Sequence, residues 1–185
     1  MRAVAAVLWG LLVFAVAGCD DAFGPSFGPV PETPVEATVA DFSSSDLRDA
    51  AGFDLVGQRP VRTDISPGWD FLYRVEPDGS PVMVPRGAII ESETQAGVQV
   101  VAESFTGLEE APAGGYTVDA PVEVAEGDVI AVRTRQDPSL NLRCRRYVKM
   151  EIQDVDMDVG VLRFRYLRNP NCERRILIPG AEGDL

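Results

Sequence analysis

Residues 144–172 read CRRYVKMEIQDVDMDVGVLRFRYLRNPNC. Val148, Met150 and Ile152 alternate with Lys149, Glu151 and Gln153, and Leu162, Phe164 and Tyr166 alternate with Arg163 and Arg165. A period of two is the mark of a β-strand with one buried face, because successive side chains leave opposite sides of the pleat. Asp154 to Gly160, between the two runs, is acidic and ends in glycine, as a chain reversal requires. The stretch therefore predicts a long antiparallel hairpin with a cysteine at each outer end. A fold about Met157 and Asp158 sets Cys144 opposite Cys172, with both in phase with Val148, Met150, Leu162 and Phe164. A disulfide there would close a loop of about thirty residues and stabilise by roughly 3–4 kcal/mol on the chain-entropy model. Two buried thiols or a metal pair are the alternatives, and two cysteines without histidine make a poor metal site. Pro170 is the residue most able to disturb the pairing.

Outward from the hairpin, nearly every segment reads as strand or turn. Phe53 to Val61 carries Phe53, Leu55 and Val61 around Gly57. In Trp69 to Val75 the alternation puts Trp69, Phe71, Tyr73 and Val75 on one face, and Asp70, Leu72 and Arg74 on the other. Glu76-Pro77-Asp78-Gly79 is a turn. Short strands are expected at 82–84, 88–91, 98–103, 122–124 and 129–135, and a last one at 173–178. Ser43 to Ala51 is the one place where a turn or two of capped helix is expected. The fold class is therefore mainly β: an antiparallel sandwich or partly open barrel of about eight to ten strands with little helix.

The chain has 185 residues, 17 basic and 29 acidic, and no histidine. Lacking histidine, it lacks the commonest general base and zinc ligand, and a serine–histidine triad is excluded for its serines at 43–45 and 80. The net charge of −12 argues against nucleic acid and anionic membrane surfaces as partners. Lys149 is the only lysine, and many of the arginines lie on or beside the hairpin, which leaves the acidic excess earlier in the chain. An arginine stripe on the hairpin reads first as a solvated strand face and second as an anion site.

At the amino terminus, Met1-Arg2 precedes an apolar run from Ala3 to Ala17, too short for an ordinary membrane span and suited to a secretory signal. The run closes with Val16-Ala17-Gly18-Cys19, which resembles the lipobox of bacterial lipoproteins. That resemblance implies cleavage before Cys19 and acylation of the new terminus, a two-signal anchor of the kind that does not readily reverse. The expected organisation is a signal peptide over 1–18, a lipidated Cys19 with a flexible Pro-rich tether over 19–41, and a single β-rich domain over 42–185. Prolines 25, 29, 31 and 34 break regular structure, and an extended tether at roughly 3.1 Å per residue reaches on the order of 60 Å. The place implied is a bacterial cell envelope: the outer membrane, or the inner membrane given Asp20, with the domain in the periplasm or at the cell surface.

Past the tether, the order of several short motifs is similar to that of the HmuY-like envelope lipoproteins. They are Phe53-Asp54-Leu55, Trp69-Asp70-Phe71, Ala111-Pro112 with Tyr116 and Asp119, Tyr147-Val148-Lys149-Met150, and Gly160 to Tyr166. The resemblance implies a mostly β domain on a lipid anchor and, in its best-known members, haem held between loops by histidines or methionines. Without histidine only methionine sulfur remains as an axial donor. Met150 is in phase with the apolar face and reads as core; Met83 and Met157 lie on or near turns. Met83, Tyr116 and Met157 are the candidate ligand-binding residues, and haem is the cofactor that resemblance alone suggests.

Other chemistry is weaker. Asp154, Asp156 and Asp158 have a D-x-D-x-D spacing that could supply calcium oxygens, but an EF-hand's following glycine and terminal glutamate are missing. Glu91 with Glu93, or Glu109 with Glu110, could be imagined as paired carboxylates for hydrolysis, with nothing to fix their separation. Trp69, Tyr73, Phe105 and Tyr116 could line a cleft, though aromatics in a domain of this size are first of all core. The sequence points to a non-enzymatic, lipid-anchored envelope binding protein whose β domain captures a small ligand. The alternative is a structural or interaction lipoprotein that docks on an envelope partner.

Overall fold

The computed structural model describes residues 28–43, 49–91, 96–139 and 144–182. Ten strands form two antiparallel five-stranded sheets packed as a sandwich that does not close into a barrel. The first sheet has the order β1 (Val35–Ala40), β10 (Val161–Arg168), β9 (Tyr147–Asp156), β8 (Val129–Arg133), β6 (Gly97–Val101). The second has the order β3 (Arg59–Val61), β2 (Gly52–Asp54), β4 (Phe71–Val75), β5 (Pro81–Pro85), β7 (Val122–Glu123). Among the described residues the sole helical element is a 3-10 turn at Arg86–Ala88.

The hairpin of β9 and β10 is the longest pairing. Its register slips by one at Gln153: Arg163 faces Asp154, but Phe164 faces Ile152. A bulge of this kind inserts one unpaired residue and re-aims everything beyond it. Carried on unbroken from Leu162 facing Val155, the register would set Cys144 against Glu173; after the slip Cys144 meets Cys172. The two are bonded, with Cα atoms 4.7 Å apart, and both lie just beyond the strand ends. Pro170 falls outside β10 and leaves the ladder intact.

Between the sheets, the inward residues of β9 and β10 (Val148, Met150, Ile152, Leu162, Phe164, Tyr166) meet Phe53, Phe71, Tyr73 and Met83 from the opposite sheet. Phe53 is the aromatic hub, edge-on to Phe164 at 5.2 Å and to Tyr166 at 5.5 Å between ring centroids. Full burial of such side chains contributes about 1.5–3 kcal/mol each, which makes this layer the main source of stability.

The outer face of the first sheet is covered as well. Phe105, Leu108 and Ala111 from the long loop after β6, Leu177 from the C-terminal segment and Val30 from the start of the domain pack onto Ala131, Tyr147 and Leu167. Lys149, expected on a solvated face, is 1% exposed beneath this layer. Its ammonium donates to the Leu108 carbonyl at 3.1 Å and lies 5.1 Å from the Phe105 ring centre. Burial lowers its pKa, with nearby Glu109 acting in the opposite direction.

Several expectations are corrected. Residues 35–40, assigned to the tether, form β1 and pair with β10 along its whole length, and Val30 is buried and bonded to Gly180 and Ala181. The domain thus begins by residue 28 rather than 42, because after Pro34 the chain alternates Val35, Ala37, Val39 and has an open strand edge to join. The strand expected at 88–91 is the 3-10 turn followed by an exposed Ile89-Ile90, since the chain bends at Arg86 and Gly87 directly after Pro85. The strand expected at 173–178 is reduced to one bridge between Ile176 and Glu110, with Glu173 at a positive φ of 57°. Trp69 lies on the outer face of the second sheet with Leu72, Val82 and Val84, not on the inner face with Phe71. The pleat begins only at Phe71, so the alternation does not reach back to Trp69. Of the helix expected over 43–51, residues 44–48 lie outside the described residues and 49–51 are irregular. The segment 1–18, expected to be a signal peptide, and Cys19 also lie outside them.

Candidate functional site

The two ends of the sandwich differ in kind. One end gathers the start of β9, the end of β10 and the disulfide with a group of buried charges. Asp70 is fully buried; one carboxylate oxygen accepts the Arg135 amide at 2.7 Å, and the other accepts the Leu55 amide at 2.7 Å and the Arg135 guanidinium at 2.8 Å. The same guanidinium nitrogen reaches Asp54 at 2.9 Å, and Asp54 also caps the Gly57 amide. Arg146 donates to Asp137 at 2.9 Å, and Arg168 donates to the Leu55 and Val56 carbonyls. Buried charges are tolerated only when paired and hydrogen-bonded, and here each carboxylate meets that condition. Burial nevertheless pushes the Asp70 carboxyl up, against the pull of Arg135 and of the two amides. Among the described residues, these groups are spent on each other.

The opposite end is open. The β4–β5 turn, the loop from β7 to β8, the end of β6 and the tip of the β9–β10 hairpin stand around a mouth of about 600 Å3. Its floor is apolar: Val100, Val124, Val155, Pro81 and Met157 line it. Val124 belongs to the inter-sheet core and Val155 packs against it, so the floor is the unclosed end of that core. Its rim carries Glu123, Glu126 and Asp128. Asp128 accepts the Ala125 amide at 2.8 Å, which pins the β7–β8 loop. Under Met157 lies the phenol of Tyr73, whose hydroxyl donates to the methionine sulfur at 3.7 Å. Burial raises the Tyr73 pKa, and Asp41 and Asp156 add to the effect, so the phenol stays protonated as a donor at neutral pH. A concave, largely apolar pocket with a few polar groups at its edge is the usual form of a small-molecule site.

The residues singled out from sequence do not converge. Met157 lines the mouth and is 44% exposed, whereas Met83 is fully buried in the inter-sheet core. Tyr116 is on the outer layer of the first sheet, near Tyr147 and 5.2 Å from the Arg133 guanidinium, with its hydroxyl donating to the Pro112 carbonyl. Burial pushes its phenol far above the ordinary tyrosine value. A haem held between two axial sulfurs does not fit this arrangement. The Met83 sulfur is enclosed by core side chains, and haem propionates would meet the acidic rim at Met157. The aromatics scatter likewise: Trp69 outside the second sheet, Phe105 over Lys149, Tyr73 beneath the mouth.

Of the three aspartates, Asp154 is ion-paired with Arg163, which also comes within 3.9 Å of Asp156. Asp156 caps the Val159 amide in the turn, and Asp158 is exposed. Arg163 supplies counter-charge to Asp154 and Asp156, and among the described residues no group of three or more acidic or cysteine side chains is placed to hold a metal ion. Arg165, also on the hairpin, is paired to Glu151 and lies 4.5 Å from the centre of the Phe105 ring. Glu91 is exposed and Glu93 lies outside the described residues; Glu109 and Glu110 are exposed, with Glu110 paired to Arg175.

No protein-family model, curated protein or solved structure matches the chain. Among the described residues no helix is long and apolar enough to cross a membrane.

Proposed function

We propose that this chain is a lipid-anchored envelope binding protein whose β-sandwich holds a small ligand in its open mouth. The observation that carries the reading is the contrast between the ends: one carries paired buried charges and a disulfide, and the other leaves an apolar floor facing solvent. An apolar concavity with a few polar groups at its edge is the form that small-molecule sites usually take. In a ligand-observed NMR fragment screen on the full-length protein, Val100→Trp should fill the mouth and remove most hits seen with the native chain. Hits that persist in a folded Val100→Trp, and again in Met157→Trp, would refute the reading.

The anchor has its own test. Cys19→Ser should abolish palmitate labelling and release the protein from the membrane fraction; unchanged labelling removes the lipoprotein part of the proposal and leaves the mouth untouched. Docking on an envelope partner is favoured by one feature, Val159 at the hairpin tip, 67% exposed beside Met157. A photo-crosslinker placed at Val159 should trap a single stoichiometric envelope protein if that reading holds.

A further inference from the structure

We propose that the ligand of the mouth is an extended peptide, bound by adding a strand to the free edge of β6 at Val100. This rests on the mouth being a ligand site and names the chemistry of what fills it. β6 is an edge strand of the first sheet, with β8 as its one strand neighbour. Val98 turns its N–H and C=O away from β8 and exchanges both bonds with Thr117, at 2.9 Å each. In an antiparallel ladder such outward pairs recur at every second residue, so the N–H and C=O of Val100 also point away from β8. Gly115, the residue that would face Val100 in the register of Val98 with Thr117, has a positive φ of 88° and makes no main-chain bond to it. Among the described residues neither main-chain group of Val100 has a partner. The second sheet ends at the mouth in the same way. Val124 donates to the Pro81 carbonyl at 3.1 Å, so Glu123, one residue earlier on edge strand β7, directs its N–H and C=O away from β5.

The pleat decides where a paired peptide would put its side chain. Val98 belongs to the inter-sheet core, and Val100, two residues on, faces the same way and lines the mouth. Directly opposed residues of paired strands share a face. A peptide residue opposite Val100 therefore drops its side chain into the mouth, toward Val124, Val155 and Met157. Its own N–H and C=O close the two bonds that Val100 leaves open. A hydrocarbon body of the same size would gain from the floor, but it would take those two main-chain groups out of water with nothing to bond them. Main-chain bonds along an open sheet edge, with a pocket for a side chain, are a recurring mode of peptide recognition.

The test titrates three probes calorimetrically into the full-length protein. They are the capped peptide acetyl-Ala-Phe-Ala-N-methylamide, the same molecule with the phenylalanine N–H replaced by an ester oxygen, and 4-phenylbutanol, an apolar body with no peptide backbone. The peptide should bind the native protein about fivefold tighter than the ester analogue, the worth of one hydrogen bond, and tighter than 4-phenylbutanol. Val100→Pro deletes an N–H that points away from β8 and so spares the ladder. It should weaken the peptide about fivefold and change 4-phenylbutanol by less than about twofold. Equal or tighter binding of the ester analogue, peptide affinity unchanged in Val100→Pro, or binding of 4-phenylbutanol without the peptide overturns the peptide assignment. If that binding is lost in Val100→Trp, the mouth remains a ligand site. Absence of binding by all three probes, or binding that Val100→Trp does not alter, removes both this inference and the function it rests on.

Discussion

Asp70→Ala is expected to lower the unfolding free energy by roughly 3–5 kcal/mol, the cost of leaving a buried guanidinium without its nearest carboxylate. The substitution strips the Arg135 side chain of its 2.8 Å partner and leaves the Leu55 and Arg135 amides without acceptors. Arg135 keeps only Asp54, which already caps Gly57. Urea denaturation of the single variant, of Arg135→Met and of the double variant measures the coupling directly. The double variant should be more stable than the sum of the two losses predicts, by on the order of 2 kcal/mol, because it removes both charges together. A loss under about 1 kcal/mol for Asp70→Ala would show that Arg135 swings out to solvent, and that this end of the sandwich is not locked by charge.

Reducing the Cys144–Cys172 bond comes second in expected size. The bond joins residues 28 apart in sequence, so the chain-entropy model gives about 3–4 kcal/mol for its contribution. For a domain of this length that corresponds to a fall in melting temperature of roughly 10 °C. Calorimetry with and without reductant measures it, and Cys144→Ser/Cys172→Ser should reproduce the reduced value. Intact mass should rise by two hydrogens on reduction, with no free thiol at these positions beforehand. A melting temperature insensitive to reductant would mean that the bulged hairpin and the Asp137–Arg146 pair beside it already hold this end together.

The hairpin was readable because its alternation runs over a whole strand on each side and both its cysteines fall in phase. Pattern of that length leaves little freedom for another register. What the sequence hid is what depends on distant partners. Lys149 alternates as a solvent residue should, and only the arrival of the loop around Phe105 and Leu108 buries it. β1 is hard to read because it follows a proline-rich run and buries just Val39 of its three alternating apolar residues. Asp70 and Arg135 are 65 residues apart, and no local rule ties them. The mouth is harder still: its walls come from four separate segments, each an ordinary turn or strand end on its own. Met157 was the part within reach, since a methionine at a hairpin tip is conspicuous; Glu123, Glu126 and Val100 carried no signal beyond polarity and strand pattern.

The direction of β1 has a consequence for how the protein would be mounted. Val35 pairs with Tyr166 near the disulfide end, Ala40 pairs with Val161 near the mouth, and the Gly28 carbonyl accepts from Asn171 beside the disulfide. Gly28, the first described residue, therefore sits at the disulfide end. Nine covalent steps separate Cys19 from Gly28, and at 3.3–3.6 Å each they span at most about 30 Å, half the reach that a tether up to residue 41 would allow. With a lipid on Cys19, the domain would be joined to the bilayer through the disulfide end, nearer to it than a tether up to residue 41 would hold it.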